Sequence, residues 1–189
     1  APAPRRRTHR YVRDRGGDVE IGIPEGLLIG ELVRRPGVGD ETEARVLNDL
    51  RLDEELRSEA HRVLRYGGRL SVVITDLDHF KRVNDDHGHH VGDSVLREFA
   101  RIVRSHCRDV DLVARFGGEE FVILMPEVGA AEAQACAERI RAALEQERVA
   151  PLTYPVTASF GVAELGPGES EGSLLRRADK ALYRGKSAG

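Results

Sequence analysis

Two rhythms of apolar and polar positions alternate along the chain. Between Asp40 and Tyr66, Leu52, Leu56, Ala60 and Val63 recur at spacings of four, four and three, the period of a helix with one buried face, and Gly67-Gly68 ends the run. Leu70-Ser71-Val72-Val73-Ile74-Thr75 is then a short apolar run of strand character. Phe80 to Asp86 predicts a short helix and Asp93 to Arg108 a longer one, with Val95, Leu96, Phe99, Ile102 and Val103 on its inner side. Asp78 and Asp93 are placed to cap these two helices. Leu112-Val113-Ala114 and Phe121-Val122-Ile123-Leu124-Met125 flank Gly117-Gly118, a pattern that predicts a β-hairpin whose tip glycines reach positive φ. Ala130 to Arg148 predicts a helix with Ala133, Ala137, Ile140 and Leu144 inward. Val156, Ala158, Phe160 and Val162 alternate with Thr157, Ser159 and Gly161 as in a half-buried strand, and Ser173 to Lys186 forms a last helix that buries Leu174, Leu175, Ala178 and Leu182.

Helices interleave with strands, while the hairpin makes at least one strand pairing antiparallel. The fold class that follows is an α/β sandwich on a mixed sheet, not a purely parallel doubly wound one. Residues 1–39 show no sustained period. They open with prolines and an arginine cluster (Arg5, Arg6, Arg7, Arg10, Arg13, Arg15), which lacks the aromatic interleaving or amphipathic stripe of a nucleic-acid or membrane arm and is read as an irregular leader or linker. The domain is expected over residues 40–189, and no internal repeat is present.

Composition narrows the class without naming a chemistry. The 189 residues are 40% hydrophobic and 32% charged with a net charge of −3, so the chain can bury a core and is not a nucleic-acid binder by bulk charge. No apolar run is long enough to span a bilayer and no signal-peptide pattern opens the chain, so a cytoplasmic location without membrane contact is expected. Cys107 and Cys136 lie far apart without ligand spacing and read as buried or incidental thiols. His87, His89 and His90 read as a polar loop leading into a helix, since no second histidine pair or cysteine completes a metal set.

The candidate chemistry lies at strand ends. The hairpin tip, Arg115-Phe116-Gly117-Gly118-Glu119-Glu120-Phe121, carries two adjacent carboxylates, and the apolar run some forty residues upstream exits into Asp76-Leu77-Asp78-His79-Phe80-Lys81. These stretches, together with Arg82-Val83-Asn84-Asp85, Gly88-His89, Gly92-Asp93 and Arg177-Ala178-Asp179-Lys180-Ala181-Leu182-Tyr183, stand in the order and at the spacing of one family. From about Arg69 to Lys186 the chain resembles the GGDEF domain of bacterial diguanylate cyclases, here with Gly-Gly-Glu-Glu-Phe as its signature. The segment before the first helix, Glu41 to Asp49, departs from the family's lead-in and keeps little beyond the asparagine.

The resemblance implies a five-stranded sheet flanked by helices, similar to the palm of nucleotide cyclases and polymerases. It implies an enzyme that condenses two GTP into cyclic di-GMP with release of pyrophosphate. Mg2+, or Mn2+, is then held by Asp76, the carbonyl of Leu77, Glu119 and Glu120, with Glu119 as the candidate base and Glu120 in support. Guanine is read by Asn84 and Asp93, and the phosphates by the backbone around His79, Phe80 and Lys81 and by the side chains of Lys81 and Lys186. Because one domain of this kind holds one GTP, the active form is expected to be a homodimer. Arg108 and Asp111 match the family's Arg-x-x-Asp inhibitory site for the product, to which Arg139 adds a contact. The alternative is a non-catalytic signalling module that binds GTP or cyclic di-GMP. Since 39 irregular residues are too few for a sensory or receiver domain, the chain is expected to be a fragment of a longer protein.

Overall fold

The structure is a computed structural model, and it describes residues 8–11, 19–22, 46–47 and 49–188. In chain order the elements are β1 (Thr8–Tyr11), β2 (Val19–Gly22), β3 (Val46–Leu47), α1 (Asp49–Tyr66), β4 (Leu70–Leu77), α2 (Phe80–His87), α3 (His89–His106), β5 (Leu112–Arg115), β6 (Glu120–Pro126), α4 (Ala130–Gln146), β7 (Ala158–Glu164) and α5 (Glu171–Ala188). Within the predicted leader, β1 and β2 pair antiparallel; the rest of residues 1–39 lies outside the described residues, as does most of the divergent lead-in.

Five strands form the main sheet in the order β3-β5-β6-β4-β7. Only β3 runs parallel to its neighbour, pairing Val46 and Leu47 with Val113 and Ala114; the remaining pairings are antiparallel, so the sheet is mixed. The helical period expected from Asp40 starts later, at Asp49, because Val46–Leu47 is taken up as this edge strand.

Strand parity divides the core into two layers. Val73 and Leu77 of β4 and Phe121, Ile123 and Met125 of β6 pack with α2, α3 and α4, while Leu70, Val72 and Ile74 of β4 and Val122 and Leu124 of β6 pack with α1 and α5. Alternate side chains of a strand must point to opposite faces, so both faces of these strands are apolar and both are covered by helices. Strand β7 follows the same rule. It spans Ala158–Glu164 instead of 156–162, and its supposedly outward side is covered by α5: a Cβ on Gly161 would meet the Ala178 carbonyl oxygen at 2.1 Å. The small residue is what lets the helix backbone lie on the strand.

Two helix boundaries also differ from the pattern. Helix α3 starts at His89, so Asp93 lies within it and does not cap it. The break comes from Gly88, whose φ of 82° ends α2 and whose N–H donates to the Asn84 carbonyl. Asp78 does not cap α2 either; that position is held by His79 in a left-handed conformation, and the Asp78 side chain is engaged elsewhere. Among the described residues no helix is long and apolar enough to cross a membrane.

Candidate active site

Register brings the acids together. In the β4–β6 ladder Asp76 lies directly opposite Glu120, and both have the parity of the face that packs on α1 and α5. Directly opposed residues in an antiparallel pair hold their Cβ atoms about 4.5–5.5 Å apart, and like charges in that relation oppose folding. Glu119 is the residue before β6, and its carbonyl accepts the Leu77 N–H at 3.3 Å, which fixes the hairpin tip to the exit of β4. Burial, and after it the Asp76 charge, pushes the Glu119 and Glu120 carboxyls above their ordinary range. Asp179 on α5 adds its charge against Glu120, a contribution that only the packing of α5 on the sheet reveals.

One cation reaches this cluster from the end of α5. Lys186 Nζ lies 2.6 Å from Asp76 Oδ1 and lowers the cost of ionising both glutamates. Among the described residues no three acidic, histidine or cysteine side chains already form a closed metal cage. The donor set nonetheless fits a hard divalent cation. Mg2+ takes one or two carboxylates and fills its octahedron with water and phosphate oxygens, so it requires no all-protein cage, and mutually destabilised carboxylates at one sheet end are suited to it.

The hairpin differs from the expected tip. Neither Gly117 nor Gly118 has positive φ, and their role is room: a Cβ on Gly117 would come within 2.6 Å of Glu120 Oε2. The turn is held by Arg115, whose Nε donates to the Gly117 carbonyl at 3.1 Å and whose Nη2 donates to that of Gly118 at 2.6 Å. Arg115 was not among the expected site residues. Its position opening the signature was visible, but not that its guanidinium folds back over the turn.

Asp78 ties the other side of the site. Its carboxylate accepts the hydroxyls of Thr157 and Ser159, each at 2.8 Å, and its N–H donates to the Thr157 carbonyl, joining the exit of β4 to the start of β7. At the following position His79 is left-handed, with φ 57°, immediately before a right-handed helix. The N–H groups of Phe80 and Lys81 therefore open α2, at the positive end of its dipole. Lys81 Nζ itself lies 2.5 Å from Asp85 Oδ2 on the exposed side of α2.

Asn84 lies close to the turn of α3 that carries Asp93. The Asn84 side chain lies against Gly92, where a Cβ would stand 2.0 Å from Asn84 Oδ1, and Asp93 is the next residue along α3. At the end of β5 away from the hairpin tip, Arg108 and Asp111 close a turn between α3 and β5. The Arg108 N–H and guanidinium both donate to the Asp111 carboxylate, at 2.8 Å and 2.6 Å, and Arg108 Nη2 donates to the Pro126 carbonyl. Asp111 is 2% exposed, whereas the Arg108 side chain is about half exposed. Arg139 is exposed on α4, close enough to Cys136 to act on its ionisation. A separate cleft of about 320 Å³ lies beside α2, lined by residues that include Asp78, His79, Arg82, Tyr154 and Thr157, but the carboxylates at positions 76, 119 and 120 do not line it.

The family profile described as "Diguanylate cyclase, GGDEF domain" matches residues 43–189. The chain belongs to that family. It is 42% identical over 146 residues to diguanylate cyclase DgcP of Pseudomonas aeruginosa, an alignment covering 75% of this chain and 22% of that protein. Among solved structures it is similar to the active GGEEF domain of a diguanylate cyclase from Vibrio cholerae, with a TM-score of 0.74 and 32% identity over 76% of this chain and 93% of that one. It is likewise similar to the GGDEF domain of DgcB from Caulobacter crescentus in complex with c-di-GMP, with a TM-score of 0.73 and 33% identity over 82% of this chain and 94% of that one. The chain spans about a fifth to a third of the length of the first curated relatives it matches. The GGDEF fold and the mixed sheet expected of it are thus both present.

Proposed function

We propose that this GGDEF domain condenses two molecules of GTP into cyclic di-GMP. The observation that carries the reading is the cross-strand pair Asp76–Glu120, with Glu119 beside it and Lys186 above it, at the sheet end from which the α2 N-terminus rises. In each half-reaction a 3′-hydroxyl attacks the α-phosphorus of the facing GTP, the bond to the β-phosphate breaks, and pyrophosphate leaves. Phosphoryl chemistry of this kind needs position and charge neutralisation more than covalent help.

Asp76, Glu119 and the Leu77 carbonyl are the residues that would hold Mg2+, with Glu120 in support; when bound, the ion supplies charge neutralisation at the phosphates. Glu119 takes the proton of the attacking hydroxyl. Lys186, Lys81 and the N–H groups after His79 bind the β- and γ-phosphates. Asn84 and Asp93 read the guanine edge. A site built to pair those groups rejects adenine because its own polar atoms would be left unpaired.

Each domain presents one such site, so cyclisation requires two copies facing each other across a two-fold axis. The product inhibits at Arg108, whose exposed guanidinium is the group available to a phosphate, while Asp111 holds the turn that presents it. The test is incubation with GTP and Mg2+ at high protein concentration, followed by chromatography for cyclic di-GMP and pyrophosphate. Turnover is expected, with Arg108→Ala retaining turnover but losing product inhibition. No turnover alongside tight product binding would replace the enzyme by a receptor.

A further inference from the structure

Two cysteines that the sequence holds twenty-nine positions apart meet in the fold. Cys107 is the residue that ends α3, partly buried and directly before Arg108; Cys136 lies on α4, 2% exposed. Both pack into the core layer beneath α3 and α4. Cys136 Sγ donates to the His106 carbonyl at 3.4 Å, which puts its sulfur against the residue preceding Cys107, and the two thiols are close enough to act on each other's ionisation. Proximity of the two side chains is the first demand of a disulfide, which forms only between cysteines whose Cβ atoms lie a few ångströms apart.

We propose that Cys107 and Cys136 form an oxidisable dithiol whose closure to a disulfide loosens the grip of the Arg108 turn on cyclic di-GMP.

Contact with Cys107 favours the ionised form of Cys136. The Cys107 thiol holds its neighbour's ionisation down to about 7 against the cost of burial, with Arg139 and Arg108 adding positive charge and Asp111 opposing them. The Cys107 thiol is pushed up, first by its contact with Cys136 and then by burial, so it keeps the proton. A thiolate is the reactive form, and a small oxidant such as hydrogen peroxide reaches the pair from the side where Cys107 is only partly buried. The Cys136 sulfur attacks one peroxide oxygen, the O–O bond breaks, and the departing hydroxide leaves as water after taking a proton, which creates a sulfenic acid. The Cys107 sulfur then displaces the sulfenic hydroxyl; the S–S bond forms and a second water carries away the remaining thiol proton. Two thiols thus lose two electrons to one peroxide, and no other reactant is needed.

The consequence follows from position. A disulfide brings the sulfurs to about 2.05 Å, well inside thiol contact, so closure draws the end of α3 toward α4. The Arg108 N–H that donates to Asp111 belongs to the very next residue, as does the guanidinium offered to product. This second half of the proposal rests on the reading of Arg108 as the inhibitory site; disulfide formation itself does not.

The test treats the full chain with stoichiometric peroxide or with a phosphine reductant and compares intact mass, thiol alkylation and cyclic di-GMP binding by calorimetry. Oxidation is expected to remove two hydrogens from a monomeric chain, protect both cysteines from alkylation, and weaken product binding about 5-fold. Cys107→Ser and Cys136→Ser should each abolish the mass change and the difference between redox states. Peroxide that leaves both thiols alkylatable, or that yields only intermolecular links, overturns the dithiol. A disulfide that forms while product binds equally well in both states overturns the coupling. A disulfide that forms in a chain binding no product in either state supports the dithiol and instead refutes the inhibitory-site reading.

Discussion

At the level of single residues, the site is a place where folding is opposed for a chemical end. Asp76 and Glu120 face each other across a ladder, Glu119 adjoins them, and Asp179 adds a further negative charge, with Lys186 as the compensating cation. The glutamates' upward shift has a definite sign in stability. Their folded carboxyls bind protons more readily than an unfolded glutamate, so the apo domain gains stability as pH falls from above the raised folded values toward the ordinary 4.5. Removing the charge has the same effect. Glu119→Gln is expected to raise the melting temperature of the metal-free domain while lowering kcat by about 10²–10⁴-fold, the usual worth of a positioned acid–base group; thermal melts and turnover together check it. A lower melting temperature with full activity would remove Glu119 from the site. The acids themselves were legible in sequence because they stand at strand exits, but their opposition in register was not, since register is a property of the paired ladder. Asp78 shows the same limit: its short carboxylate suits a helix cap, yet Thr157 and Ser159, nearly eighty positions away, claim both its oxygens.

Among the elements, α5 is the one that couples packing to chemistry, because it carries Lys186 to Asp76. Two features hold it. Gly161 lets the α5 backbone rest on β7, so Gly161→Ala should cost about 1–3 kcal/mol by overpacking, or more because the clash is with backbone, and should raise KM for GTP as Lys186 shifts. Denaturant melts and steady-state kinetics check this, and an unchanged midpoint would contradict the close approach. At the other end, Glu169 accepts from Arg177 and from the Gly166 N–H, which holds its carboxyl down to about 2. Its stabilising contribution is therefore complete above the ordinary 4.5 and is lost as pH falls toward 2, and Glu169→Gln should flatten the acid limb of the stability curve between those values. The element pattern was well read from periodicity wherever a helix buries one stripe, as with Ala133, Ala137, Ile140 and Leu144 of α4. It failed where a residue without a side chain makes the contact: Gly161 reads as the polar side of a strand but lies under a helix.

For the molecule as a whole, the proposed reaction joins two nucleotides while each chain carries one acidic cluster, so the reaction requires two chains. Activity per chain should accordingly rise with protein concentration through the micromolar range before levelling, as expected of a weak domain–domain association; constant specific activity under dilution would contradict a dimeric active form. The Arg108 turn lies at the opposite end of β5 from the hairpin tip, so the proposed product site is separate from the acidic cluster. Fold class, mixed sheet and family were legible because the motifs lie on elements with strong periods. The meeting of Cys107 with Cys136 was not, because it depends on how α4 docks on the end of α3.

The claim on which all of this rests is that Asp76 and Glu119 share one divalent cation over a bound triphosphate. Electron paramagnetic resonance of Mn2+ with a non-reactive GTP analogue measures it directly. One tightly bound Mn2+ per chain is expected only when the analogue is present, and Asp76→Asn and Glu119→Gln should each release it. Mn2+ binding that survives both substitutions would contradict the account.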